Sequence, residues 1–178
     1  MLAYEEMIPY PSADLAIKQG FDVRVIQSYF AQLYLRKSLN QIHSMLYDPQ
    51  NPMSEEPEPA VIEAIQNSLD MQFVPPQFKF GRDDPPANDI LSARLRAKYW
   101  GANVITYRPF VKKILLINYN KSQANNGMGS AAPSEQITPA MIEYAKMGIK
   151  ALVESTRAFH GLPEKRFIVT NIFGTSHA

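Results

Sequence analysis

Apolar positions between Asp89 and Lys113 (DILSARLRAKYWGANVITYRPFVKK) repeat with helical spacing on two sides of the segment. At about 100° per residue, Leu91, Leu95, Tyr99, Ala102 and Thr106 share one flank, while Ile90, Ala97, Trp100, Val104 and Val111 share another. One apolar stripe suffices for a surface helix, so a helix with two is expected to be packed on both sides. Between the flanks lie Arg94, Lys98, Arg108 and Lys112, a narrow basic seam interrupted by Gly101 and Ile105. Pro109 has no N–H to give to the carbonyl of Ile105, and its ring crowds that turn. A kink or a stop at Arg108–Pro109 is therefore expected.

The rest of the chain reads as shorter helices around this one. Met1 to Gly20, with Pro9 and Pro11, is an irregular lead-in holding a helical turn near Asp14 to Lys18. Asp22 can cap a long helix whose stripe is Ala31, Leu35, Leu39, Ile42 and Leu46, widened at its start by Ile26, Phe30, Leu33 and Tyr34. Asp48–Pro49 closes it. After an acidic, Pro-rich loop, Val61, Ile62, Ile65 and Leu69 mark a shorter amphipathic helix. A second Pro-rich connector, Val74 to Ala87, leads to Asn88 as the expected cap of the central helix. Asn118 to Ser134 is poor in apolar residues and rich in Asn, Gly and Ser, which predicts a mobile surface loop over residues 118–134. Thr138–Pro139 starts a further helix with Met141, Ala145, Ile149, Leu152, Thr156 and Phe159 on its inner face, stopped by Gly161 and Pro163. Phe167 to Ala178 is apolar and could open a strand or a helix.

No alternating runs are joined by Asn-Gly or Asp-Gly turns. The expected fold is all-α: an irregular multi-helix bundle around one long central helix, a single domain over residues 1–178 that stops partway through its full extent. Composition agrees with a folded domain, at 46% hydrophobic and 20% charged residues. A formal net charge of +1 provides no global field to draw in nucleic acid or anionic lipid. No window approaches the ~20 apolar residues of a membrane span, so no membrane is expected as a partner. The first residues lack the basic-then-apolar layout of a signal peptide. The absence of cysteine excludes a disulfide framework and fits a reducing compartment.

Candidate chemistry is sparse. His43, His160 and His177 are not spaced as metal ligands, and no thiol could assist them. His43 lies beside the apolar face of its helix and suits a hydrogen-bonded structural role, while His160 suits a helix C-terminus. Asp83 and Asp84 are adjacent, so their carboxylates point apart among prolines and read as a solvated loop. No nucleophile motif is present, and no catalytic, cofactor-binding, metal or DNA-binding residue is expected. The basic seam is the remaining constellation. It could bind an acidic partner or phosphates, which requires exposure. Alternatively its charges pair with carboxylates on a neighbouring helix, such as Glu143 or Glu154, with Arg108 tying carbonyls freed by Pro109. The two apolar flanks favour this structural pairing.

Three stretches resemble a known family. RLRAKYWGANVITYRPF (Arg94 to Phe110) resembles the "AKYYGA…RPF" segment in the regulatory region of fungal zinc-cluster transcription factors, with Trp100 where Tyr is commoner. FAQLYLRKSLNQIHSMLY (Phe30 to Tyr47) is similar to that family's helix ending in "LRxxLNxIHxxLY", and FIVTNIFGTSHA (Phe167 to Ala178) to its "xIVTNIxGTAHA" segment. The resemblance implies a nuclear regulatory or effector-response region acting in RNA polymerase II transcription. Its expected partners are the rest of a parent factor or other transcription proteins, and a small-molecule effector. It also implies that the last stretch is helical. The family's six-cysteine zinc module cannot lie in a chain without cysteine, so zinc and direct DNA contact are expected only in a portion absent here. The competing expectation is a stand-alone helical scaffold or small-molecule-binding domain unrelated to transcription.

Overall fold

The computed structural model describes residues 12–50, 57–71, 74–125 and 136–163. They form five α-helices: α1 (Ala13–Lys18), α2 (Val23–Tyr47), α3 (Pro59–Asp70), α4 (Ile90–Asn125) and α5 (Pro139–Arg157), with a 3₁₀ turn at Pro76–Phe78. No strand occurs among the described residues, and the fold is all-α, as the sequence pattern predicts.

Local chemistry sets most helix ends. Ser12 accepts from the Leu15 N–H, Asp22 from the Arg24 N–H at 2.7 Å, and Thr138 from the Met141 N–H. Each satisfies an amide donor that the first turn leaves open. The cap of α4 is Asp89 rather than Asn88: its Oδ1 accepts from the N–H groups of Leu91 and Ser92 at 3.1 Å each. Asp89 also pairs with Arg24 at 2.9 Å, tying the start of α4 to the start of α2. An ionised cap with a cationic neighbour is the stronger choice.

α4 is the axis of the molecule. Contacts with α2 progress from Arg24–Asp89 through Gln32–Lys98 to Tyr47–Ile105, so the two helices run in the same sense. α3 runs opposite to α4, with Tyr107 donating to Gln66 and Tyr99 to Asp70. α5 is also antiparallel: Gly148 lies against Tyr107 and Val111, and Gly161 against the carbonyls of Pro86 and Ala87. The main core joins Ala31, Leu35, Ile42 and Leu46 of α2 with Ile62, Ile65 and Leu69 of α3, Phe78, and Leu95, Ala102, Tyr107 and Phe110 of α4. The expected stripes of α2 and α3 are thus the buried ones, with Leu39 and Val61 packed at the edge, except that Tyr34, expected to widen the α2 face, is 45% exposed.

Three expectations are corrected. Of the kink or stop expected at Arg108–Pro109, the stop does not occur: α4 continues through Pro109 to Asn125, 36 residues or about 54 Å at 1.5 Å per residue. Its extension takes in Asn118 to Asn125, the first half of the expected mobile loop. That stretch (NYNKSQAN) is polar but holds no Gly or Pro, so an established helix propagates through it; residues 126–134 lie outside the described set. The inner face of α5 is also rotated from the expected one. Met141, Ala145, Gly148, Ala151 and Ser155 are buried, whereas Ile149 and Leu152 are each 56% exposed. The buried side of α5 is built mostly of small residues, and at Gly148 an added β-carbon would lie 3.0 Å from Tyr107 of α4, because only small side chains let two helices approach so closely. Hydrophobicity alone ranked Ile149 and Leu152 inward; the close approach excludes them. Phe167 to Ala178 and His177 lie outside the described residues.

Candidate functional site

The centre of the site is the turn that Pro109 disrupts. Proline leaves the carbonyl of Ile105 without its intrahelical donor. Tyr47, the last residue of α2, supplies one: its hydroxyl donates to Ile105 O at 2.6 Å. Arg108 lies over the Tyr47 ring, 5.8 Å from the centroid, and His43 stacks on the same ring at 5.4 Å. Burial raises the Tyr47 hydroxyl pKa, and the Arg108 charge partly offsets this, so the ring stays a neutral donor at ordinary pH. The donor expected from Arg108 is therefore a tyrosine from another helix. His43 is exposed and stacked on an aromatic ring instead of hydrogen-bonded in the core. The orphaned carbonyl was legible in the sequence, but its partner, 58 residues away, was not.

The structure also corrects the pairing expected for the seam. Glu143 bonds Lys146 at 2.8 Å and Glu154 bonds Arg157 at 2.7 Å, both within α5. Arg94, Arg108 and Lys112 are exposed, and Lys98, half-buried, donates to Gln32 at 3.3 Å. None of these four cations has an ion pair among the described residues. The helix rotation explains why. α2 and α3 cover one part of the α4 circumference and α5 another, so the seam is the open sector between α2 and α5. Arg36 of α2 extends the cluster. Burial, followed by repulsion from Arg36 and Arg94, lowers the Lys98 pKa, as expected where like charges gather without a carboxylate. Arg36 carried no helical-spacing signal that linked it to α4.

On another side of α4, a groove of about 690 Å³ opens between Leu35, Leu69, Val74, Phe78, Leu95 and Tyr99. Its polar edge is a cluster with no local signal in the sequence. Asp70 accepts from Tyr99 at 2.6 Å and from Arg82 at 2.6 Å. Burial, then the hydrogen bond and charge of Asp70, push the Tyr99 hydroxyl from 10.0 up to about 12. The fold thus disfavours the phenolate. This contribution to stability is fully present below about pH 10 and is lost as pH rises from 10 towards 12, because the unfolded chain ionises first. Asp70→Asn is expected to lower the pH at which Tyr99 ionises. Ultraviolet titration, differenced against Tyr99→Phe, reads this directly; an unmoved midpoint would show that Asp70 does not set it.

The remaining candidates are dispersed. Asp83, 92% exposed on its side chain, pairs with Lys150 at 3.3 Å, while Asp84 accepts from the Gly81 N–H at 2.7 Å and closes a turn. His160 is exposed in the turn after α5. Among the described residues, no three of His, Cys, Asp or Glu converge as a metal site, and no helix is long and apolar enough to cross a membrane. Comparison with family models, curated proteins and solved structures found no match to this chain.

Proposed function

We propose that this chain is a helical regulatory region of a fungal zinc-cluster-type transcription factor, acting in RNA polymerase II transcription in the nucleus without DNA-binding residues of its own. One observation carries the reading. The stretches Phe30–Tyr47 and Arg94–Phe110, which resemble that family separately, meet at their most distinctive residues: the terminal Tyr47 of one clamps the Arg108–Pro109 turn of the other. Motif residues that complete one another's hydrogen bonding are expected if both stretches belong to a single inherited unit. The groove beside Tyr99 is large enough for a small effector, which fits an effector-response role. On this reading the zinc and the DNA contacts belong to another part of the parent factor.

The test is functional. Fused to an unrelated DNA-binding module, the chain is expected to change output from a matched RNA polymerase II reporter several-fold, and Tyr47→Phe to weaken that change. Alone it is expected to give no operator-selective, salt-sensitive gel shift. An indifferent reporter, or selective DNA binding by the isolated chain, would overturn the proposal.

A further inference from the structure

We infer that the open side of α4 and α5 is a docking surface for an acidic amphipathic helix of a partner protein. Two features of that side coincide. The first is apolar: Ile142, Ile149, Leu152 and Val153 of α5 are exposed, as is Leu115 of α4. They span about 15 Å along α5 between Ile142 and Leu152, roughly three helical turns. The second is the uncompensated seam. Gly148 packs on Tyr107 and Val111, so the antiparallel register sets Arg108 and Lys112 alongside Ile149 and Ala145. Helical rotation then turns Arg108 and Lys112 to the same side as Ile149 and Leu152, with Arg94 on that side about 21 Å farther along α4. An apolar ridge bordered by cations without acidic partners matches a helix with an apolar stripe flanked by carboxylates.

Charge and length separate this partner from the other occupants. Residues 1–11 carry Glu5 and Glu6 without a cation, but Pro9 and Pro11 leave them too short for a helix that spans three turns of the ridge. A second copy of this chain would bring its own cations against Arg108 and Lys112. Residues 164–178 hold one acid, Glu164, beside Lys165 and Arg166, and none thereafter, so they lack the required charge. A nucleic acid would answer the seam but leave the ridge in water. This surface chemistry stands apart from the transcriptional reading and survives if that reading fails.

The probe is a fluorescein-labelled synthetic peptide of about four helical turns with Leu at i, i+3, i+4 and i+7 and Glu on both flanks, titrated with the full chain by fluorescence anisotropy. Saturable binding is expected, along with binding about tenfold weaker for a control peptide carrying Lys in place of Glu. An Arg108→Glu/Lys112→Glu double variant and an Ile149→Ser/Leu152→Ser double variant should each weaken binding about tenfold, and added salt should weaken it further. All four side chains are exposed, and circular dichroism checks that helicity is unchanged. Equal binding of the two peptides, indifference to either double variant, or no binding would overturn the inference. So would a chain dimer abolished by Leu152→Ser, or an oligonucleotide that displaces the Glu peptide.

Discussion

Tyr47→Phe is expected to lower the stability of the fold by about 1–3 kcal/mol, although it removes a single oxygen. That oxygen carries the proton donated to Ile105 O, the carbonyl deprived of its own donor by Pro109. Without it, a partly buried acceptor in the middle of the longest helix loses its partner. The decisive measurement is a double-mutant cycle in chemical denaturation. Pro109→Ala restores an N–H to the turn, so in that background Tyr47→Phe should cost well under about 1 kcal/mol. Equal costs in both backgrounds would show that the tyrosine acts through packing alone. The cycle also tests the contact on which the proposed function rests, since Tyr47 and Pro109 come from separate resembling stretches.

Gly148→Leu is expected to be at least as damaging, at about 1–3 kcal/mol or more. A β-carbon at Gly148 would lie 3.0 Å from the β-carbon of Tyr107 and 3.5 Å from Val111, so a leucine must push α5 away from α4. Tyr107 cannot retreat cheaply: it is buried, stacks on Tyr144 at 5.9 Å and donates to Gln66 of α3. Urea denaturation should show a lower midpoint, with Gly148→Ala intermediate. A leucine variant as stable as the parent would mean that α5 is not held at the observed distance.

These two sites mark how far the sequence could be read. Helix α2 was legible from its stripe, its Asp22 cap and the Asp48–Pro49 stop, because each signal is local and agrees with the others. Helix α4 was legible as doubly packed, but its length was not. Proline is a local signal for termination, and the donor that rescues Ile105 comes from a helix remote in sequence. The inner face of α5 was misread for a related reason. Hydrophobicity ranks Ile149 and Leu152 above Gly148 and Ala151, but the buried side was chosen by how closely α4 could approach.

The seam shows the same division. The sequence by itself determined that Arg94, Lys98, Arg108 and Lys112 share one side of a helix, since the 3.6-residue period is a property of the local backbone. It also determined the all-α class and the absence of any thiolate chemistry. Only the tertiary structure decided that Glu143 and Glu154 bond within their own helix, leaving the seam open, and that an apolar ridge lies beside it. Pairing between helices depends on which faces the close packing of small residues brings together, and that is a property of two surfaces that neither stretch of sequence contains alone.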